Sequence, residues 1–162
     1  MLTLLAAFWF AFTFQQAPND IRPVCPAHLM PMSLNERGET GMGFSQTATT
    51  HHFLLTPTGG AIVVDANDPN DNESRDSIQM HLHHIQHAFQ TGDFNIPMFV
   101  HDTLPPGVPV MKQRAKRIHY SIEITPNGGR VLISTKDKAA LNAIHAFLRF
   151  QIAEHQTGDP LN

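Results

Sequence analysis

The sequence predicts an α+β fold: a duplicated β-β-α unit giving a four-stranded antiparallel sheet with two helices on one face. Three observations predict it. Thr56-Pro57-Thr58-Gly59-Gly60 returns as Thr125-Pro126-Asn127-Gly128-Gly129, and Gln90-Thr91-Gly92-Asp93 returns as Gln156-Thr157-Gly158-Asp159. Period-two alternation flanks the Gly-Gly landmarks, and an apolar helical stripe precedes each Thr-Gly-Asp. Two landmarks repeated in the same order point to an internal duplication.

In the second copy Ile118, Tyr120, Ile122 and Ile124 alternate with His119, Ser121, Glu123 and Thr125, the pattern of a half-buried strand. The Pro-Asn-Gly-Gly turn supplies residues that accept positive φ, and Arg130–Thr135 returns as the partner strand. His51–Thr56 and Ala61–Ala66 play these parts in the first copy. Helices are predicted over Asp76–Phe89 and Lys138–His155. Their stripes are Ile78, Leu82, Ile85, Phe89 and Leu141, Ile144, Leu148, Ile152. Gly92 and Gly158 suit helix C-termini. The first copy carries about three extra residues, assigned to the turn-forming stretch Asn67–Glu73. Ala143, Phe147 and Phe150 give the second helix another apolar face, from which a homodimer interface is expected.

The organisation that follows is a signal peptide over 1–17, a flexible segment over 18–48 and one α+β domain over 49–160. That domain divides into a first repeat (49–93), a connector (94–117) and a second repeat (118–159). Leu2–Phe14 is an apolar run of signal-peptide length, short for a bilayer span, and polar Gln15 and Gln16 follow it. Export is therefore expected, to a periplasmic or secreted location and with no stable membrane span in the mature form. No Lys or Arg precedes the run, so a retained anchor or a cytosolic chain is the alternative. The Pro-rich connector ends in a basic cluster, Lys112, Arg114, Lys116 and Arg117. A formal net charge of -3 argues against a nucleic-acid partner, which would need a basic footprint.

Histidine is abundant: 11 residues, as many as Lys and Arg together, beside seven Met and one Cys. A single cysteine excludes an intrachain disulfide framework. Cys25, His28, Met30 and Met32 form a soft ligand set that favours copper(I), with zinc reachable through Cys and His. His83 and His87, on a helical face with Met80 and His84, are spaced to chelate one ion, but HHIQH lacks the glutamate of a metalloprotease motif. The favoured reading of that face is a solvated polar surface. In the connector, His101 beside Asp102 pairs an imidazole with a possible orienting carboxylate. His51 is expected to face inward, at the position matching Tyr120, while His145 and His155 flank a buried stripe and read as structural. Nucleophilic catalysis has little support, since no GxSxG elbow and no phosphate-binding glycine loop is present.

The strings MGFSQTATTHHF (Met42–Phe53), MFVHDTLPPGVPVM (Met98–Met111) and AIHAFLRFQIAEHQTGDP (Ala143–Pro160) resemble an uncharacterised family of small exported bacterial proteins. Its members often carry the label aspartate carbamoyltransferase in genomes. The residues do not support that label. A transcarbamoylase needs two α/β domains and a Ser-x-Arg-Thr loop, and this chain has neither the length nor the motif. The resemblance extends to a Cys-Pro-x-His segment, matched by Cys25–His28, and implies no catalytic residues.

The sequence thus points first to an exported metal-binding protein, for copper or alternatively zinc, in ion handling or sensing. Cys25, His28, Met30 and Met32 are its mobile ligands, completed by His51, His101 or the His83/His87 pair. The rivals are an enzyme using His101 and Asp102 with His51 and His119, the basic cluster receiving an anionic substrate, or a dimeric interaction module.

Overall fold

A computed structural model describes residues 31–162. Its elements in chain order are α1 (Leu34–Met42), β1 (Thr49–Thr56), β2 (Gly59–Ala66), α2 (Asn72–Gln90), α3 (Asn95–His101) and α4 (Val108–Gln113). After a 3-10 turn (Ala115–Arg117) come β3 (Ile118–Thr125), β4 (Gly128–Thr135) and α5 (Lys138–His155). The strands pair antiparallel in the order β1-β2-β4-β3, so the two hairpins meet along β2 and β4. The fold is α+β, as the alternation and stripes predict.

Each strand buries one face because its apolar residues recur at period two. Phe53, Ile62, Val64, Tyr120, Val131 and Ile133 point inward, and Ile78 and Leu82 of α2 and Ile144 and Leu148 of α5 cover them. Both long helices begin on an aspartate. The Asp71 carboxylate accepts from the Ser74 N–H, and that of Asp137 from those of Ala139 and Ala140, satisfying donors that a helix start leaves open. The helix ends differ. Past α2, Gly92 takes the left-handed conformation with φ +80, whereas α5 turns left-handed at Gln156 (φ 52) before Gly158.

The segments outside the repeat are more ordered than the sequence suggests. Within 18–48, α1 forms behind a capping box in which Ser33 and Glu36 exchange hydrogen bonds. The connector folds into α3 and α4. Pro97 sits in the first turn of α3 and Pro109 in that of α4, where no amide hydrogen is required. Asp93 starts α3 by accepting from the Asn95 N–H at 2.8 Å. Arg37 of α1 donates through Nε to the Val100 carbonyl at 2.7 Å, joining α1 to the end of α3.

The connector also covers the second face of α5, so that face is not a free dimer surface. Phe147 is 1% exposed and packs edge-on to Phe89 and Phe94, and Phe150 lies against the His101 ring. Gly107, at φ +86, lets α4 approach α5 so closely that a Cβ there would stand 2.1 Å from the Ala143 carbonyl oxygen. Among the described residues, no helix is long and apolar enough to cross a membrane.

Candidate functional site

Four histidines gather where β1, α2, α3 and the end of α5 meet. The His51 ring stacks on that of His155 with centroids 5.6 Å apart, and His101 meets His155 edge-on at 5.1 Å. Phe44 joins the group, stacked on His51 at 5.8 Å and edge-on to His81 at 5.6 Å. His51, His81, His101 and His155 line a small inner chamber of about 50 Å³ together with Met42, Phe53, Ile96, Val100 and Gln151. His51 and His155 also line an open cleft of about 540 Å³, whose other walls include Ser33, Asn35, Gln46, Thr50, Glu154 and Thr157. The two imidazoles therefore stand between cleft and chamber.

These imidazoles are held neutral. Burial pushes His51 down to about 4, helped by the repulsion a charged ring would feel from His81 and His52. Burial and His84 bring His81 to about 4, and burial with His51 and His101 brings His155 to about 3. His101 is also lowered by burial, against the opposing pull of Gln151 and Glu154. A neutral ring keeps one lone pair available, the state a metal ligand requires.

His101 is the most closely defined of the four. Its Nε2 lies 2.8 Å from Oε1 of Gln151, a side chain only 4% exposed. A carboxamide oxygen only accepts, so the Nε2–H donates and the lone pair falls on Nδ1. That Nδ1 is buried with no hydrogen-bond partner among the described residues, and the nearest carboxylate oxygen, Glu154 Oε2, is 3.8 Å away. His51 Nε2, Gln46 Nε2 and Gln151 Nε2 are likewise buried without partners. Four of the five such atoms among the described residues thus belong to residues lining the cleft or the chamber.

The duplication supplies an internal comparison. Aligned by its landmarks, His51 matches Tyr120, His81 matches Phe147, Gln151 matches Ile85 and His155 matches Phe89. In the other half those partners form an apolar cluster, with Phe89 edge-on to Tyr120 at 5.9 Å and to Phe147 at 5.9 Å, the Tyr120 hydroxyl being the fifth unpartnered atom among the described residues. One fold therefore fills equivalent positions with three aromatic rings and an isoleucine on one side and with three imidazoles and a carboxamide on the other.

Of the residues singled out from sequence, the structure brings His51 and His101 together. Asp102 does not orient His101: it is exposed, closes α3 at φ 50, and Gln151 takes the hydrogen-bonding part expected of it. His119 is exposed on the opposite face of the sheet. His83 and His87 are both exposed, on the solvent side of α2 with Met80, which is 71% exposed. Met32 is exposed, with its carbonyl accepting from Arg37. Cys25, His28 and Met30 lie outside the described residues. His145 is structural, its Nε2–H donating to the carbonyls of Thr56 and Gly59, both at 3.0 Å. His155, read from sequence as structural, lies inside the cluster. Sequence reasoning missed His81, Met42, Gln151 and Glu154. His81 had left a signal, since it falls on the buried stripe between Ile78 and Leu82.

Among the described residues, no three His, Cys, Asp or Glu side chains already stand at positions that would hold an ion. The donor chemistry nonetheless fits a soft or borderline metal: neutral imidazoles and a Met42 thioether around a small, largely apolar chamber. Comparisons of the chain with protein-family profiles, with curated proteins and with solved structures return no match.

Proposed function

We propose that this chain is an exported metal-binding protein that handles or senses copper, with zinc as the alternative ion. His51, His101 and His155 form the seat, and His81 and Met42 are further donors. One observation carries the reading. The positions that hold Tyr120, Phe89, Phe147 and Ile85 in one half hold His51, His155, His81 and Gln151 in the other, beside an unpartnered lone pair on His101. A core needs no such substitution, because a buried polar atom without a partner is costly. Gln151 supports His101 as an outer-shell partner commonly supports a ligating imidazole, by fixing the tautomer and the ring. Bound copper would supply a centre able to accept or release an electron.

Competition titration of copper(I) and zinc against a chromophoric chelator tests this on the full chain. His51→Ala/His155→Ala and His101→Ala should each weaken binding at least about tenfold, whereas His83→Ala/His87→Ala should leave it unchanged. Cys25→Ala/His28→Ala/Met30→Ala measures what the soft N-terminal set adds. Parent-like affinity in both the His51/His155 and His101 variants would rule out the proposed seat.

A further inference from the structure

The basic cluster at the end of the connector plays no part in the histidine site. Lys112, Lys116 and Arg117 are exposed around a shallow depression lined by Lys112–Arg117, and Arg117 also lines the neighbouring depression together with Lys136. The two stretches are fastened together. Arg114 Nη1 bonds Asp137 Oδ2 at 2.6 Å, and the Thr135 hydroxyl donates to the Arg117 carbonyl at 2.7 Å. That fixes Lys136 and Lys138, both exposed, beside the first group. Among the described residues, none of Lys112, Lys116, Arg117, Lys136 and Lys138 forms an ion pair. The nearby carboxylate, Asp137, is already engaged by Arg114 and by the start of α5. Lys138 occupies the first turn of α5 with no acidic residue there, where the helix dipole disfavours a cation. The cluster is thus self-repelling, and an anion would relieve it.

Asp93, exposed beside Gly92, gives one carboxylate oxygen to the Asn95 N–H, and the larger acidic group sits at the other end of α2. Asp68, Asp71, Glu73 and Asp76 surround the start of α2, where Arg75 is already paired with Asp76. The other end of α2 abuts the basic cluster, since a Cβ on Gly92 would lie 3.9 Å from Ala115 and 4.0 Å from Lys112. The 19 residues of α2 span about 28 Å, so positive and negative poles stand at opposite ends of the helix.

We infer that the face formed by Lys112, Lys116, Arg117, Lys136 and Lys138 docks the folded domain onto an anionic phospholipid surface, with the acidic pole turned away. Five clustered cations are in the range that binds anionic headgroups. A charge-polarised body presents them in one orientation, and the acidic pole disfavours wrapping by a long polyanion.

The test is co-sedimentation of the full chain with phosphatidylcholine vesicles, with and without about one third phosphatidylglycerol. Any contribution from the apolar run Leu2–Phe14 is common to both vesicle types, so the difference between them reports the electrostatic contact. At low salt the anionic vesicles should bind at least about tenfold more tightly, and high salt should remove the difference. Lys112→Gln/Lys116→Gln/Arg117→Gln should abolish it, and Lys136→Gln/Lys138→Gln should reduce it independently, so misfolding of one variant does not decide the matter. Arg75→Gln, at the far end of α2, should leave it intact. Equal binding to both vesicle types, or a preference that survives both sets of substitutions, overturns the inference. Tighter binding to duplex DNA than to anionic vesicles, lost in the same variants, overturns it in favour of nucleic acid.

Discussion

Lowering the pH from 7 to 5 should destabilise this domain through its histidine cluster. An unfolded histidine titrates near 6.5, whereas burial holds His51 and His81 near 4 and His155 near 3. Between those values the unfolded chain binds protons that the folded chain refuses, so stability falls as the pH drops below 6.5 and levels off below the folded values. Each site contributes up to about 2 kcal/mol between pH 7 and 5, and the three together up to about 6. Because His51 and His155 are only half-buried, solvent screening brings a realistic total to about 3 kcal/mol. Against a total stability of about 5–15 kcal/mol, that lowers the melting temperature by about 10 °C. The carboxylates act in a separate window. Glu36, Asp71, Asp137 and Asp159 are all lowered, so their contribution is lost only under more acidic conditions, as the pH falls through their folded values. The assay is calorimetry of chelator-treated protein at pH 7, 6 and 5, beside His155→Phe, which installs the ring that Phe89 places in the matching position. The variant should lose about a third of the pH dependence and melt higher at pH 5 than the parent. A parent melting temperature that moves less than about 2 °C over this range would refute the neutral-cluster argument.

Three further outcomes are expected. Gln151→Leu removes the acceptor for the His101 Nε2–H, so copper affinity should fall about 10- to 100-fold in chelator competition while the far-ultraviolet circular dichroism stays unchanged. Asp159→Asn weakens a latch on β1, where the carboxylate accepts from the Phe53 N–H at 2.8 Å and the Thr157 hydroxyl at 2.7 Å and bonds His52 at 2.8 Å; urea unfolding should register a loss of about 1–3 kcal/mol. Gly107→Ala combines a left-handed backbone with a contact of 2.1 Å to the Ala143 carbonyl, and the same unfolding measurement should give a loss of at least about 2 kcal/mol.

What the sequence made legible follows from where the signals are periodic. The α5 boundaries, Lys138 and His155, emerge unchanged because a long stripe and an aspartate cap define them together. Strands β2 and β4 start two residues earlier than alternation alone suggested, because pairing continues onto Gly59, Gly60, Gly128 and Gly129, which carry no side chain to alternate, and β1 starts two residues earlier on Thr49 and Thr50, opposite Ala66 and Asp65. The short helices α3 and α4 were opaque for a different reason. Seven residues with a proline, or six with another, cannot display a helical period, and such pieces form because a neighbour covers them. The α1 helix was missed within the segment expected to be flexible, although Ser33 and Glu36 have the spacing of a capping box. For the site, His51 was legible through strand parity. His81, His101, Gln151 and His155 come together only through contacts between elements far apart in sequence, and no local pattern reports those.

The asymmetry of the two halves explains how a small domain accommodates four neutral imidazoles. The repeated units supply matching strands and helices, so their difference must come from what is not repeated. In one half the connector places Phe94 face to face on Phe89 at 4.4 Å, over the aromatic cluster of Phe89, Tyr120 and Phe147, and Phe89 and Phe147 turn their other sides to the histidine chamber. At the matching end of the other half, the histidine chamber adjoins the open cleft bounded by Ser33, Asn35 and Gln46. Apolar burial of the aromatic residues is independent of pH, so their contribution persists when the histidines begin to protonate. On this argument the acid-sensitive region is local: amide exchange at pH 5 should accelerate first in β1 and the last turns of α5, while β3 and β4 remain protected. Uniform acceleration across all four strands would mean that the two halves are energetically one.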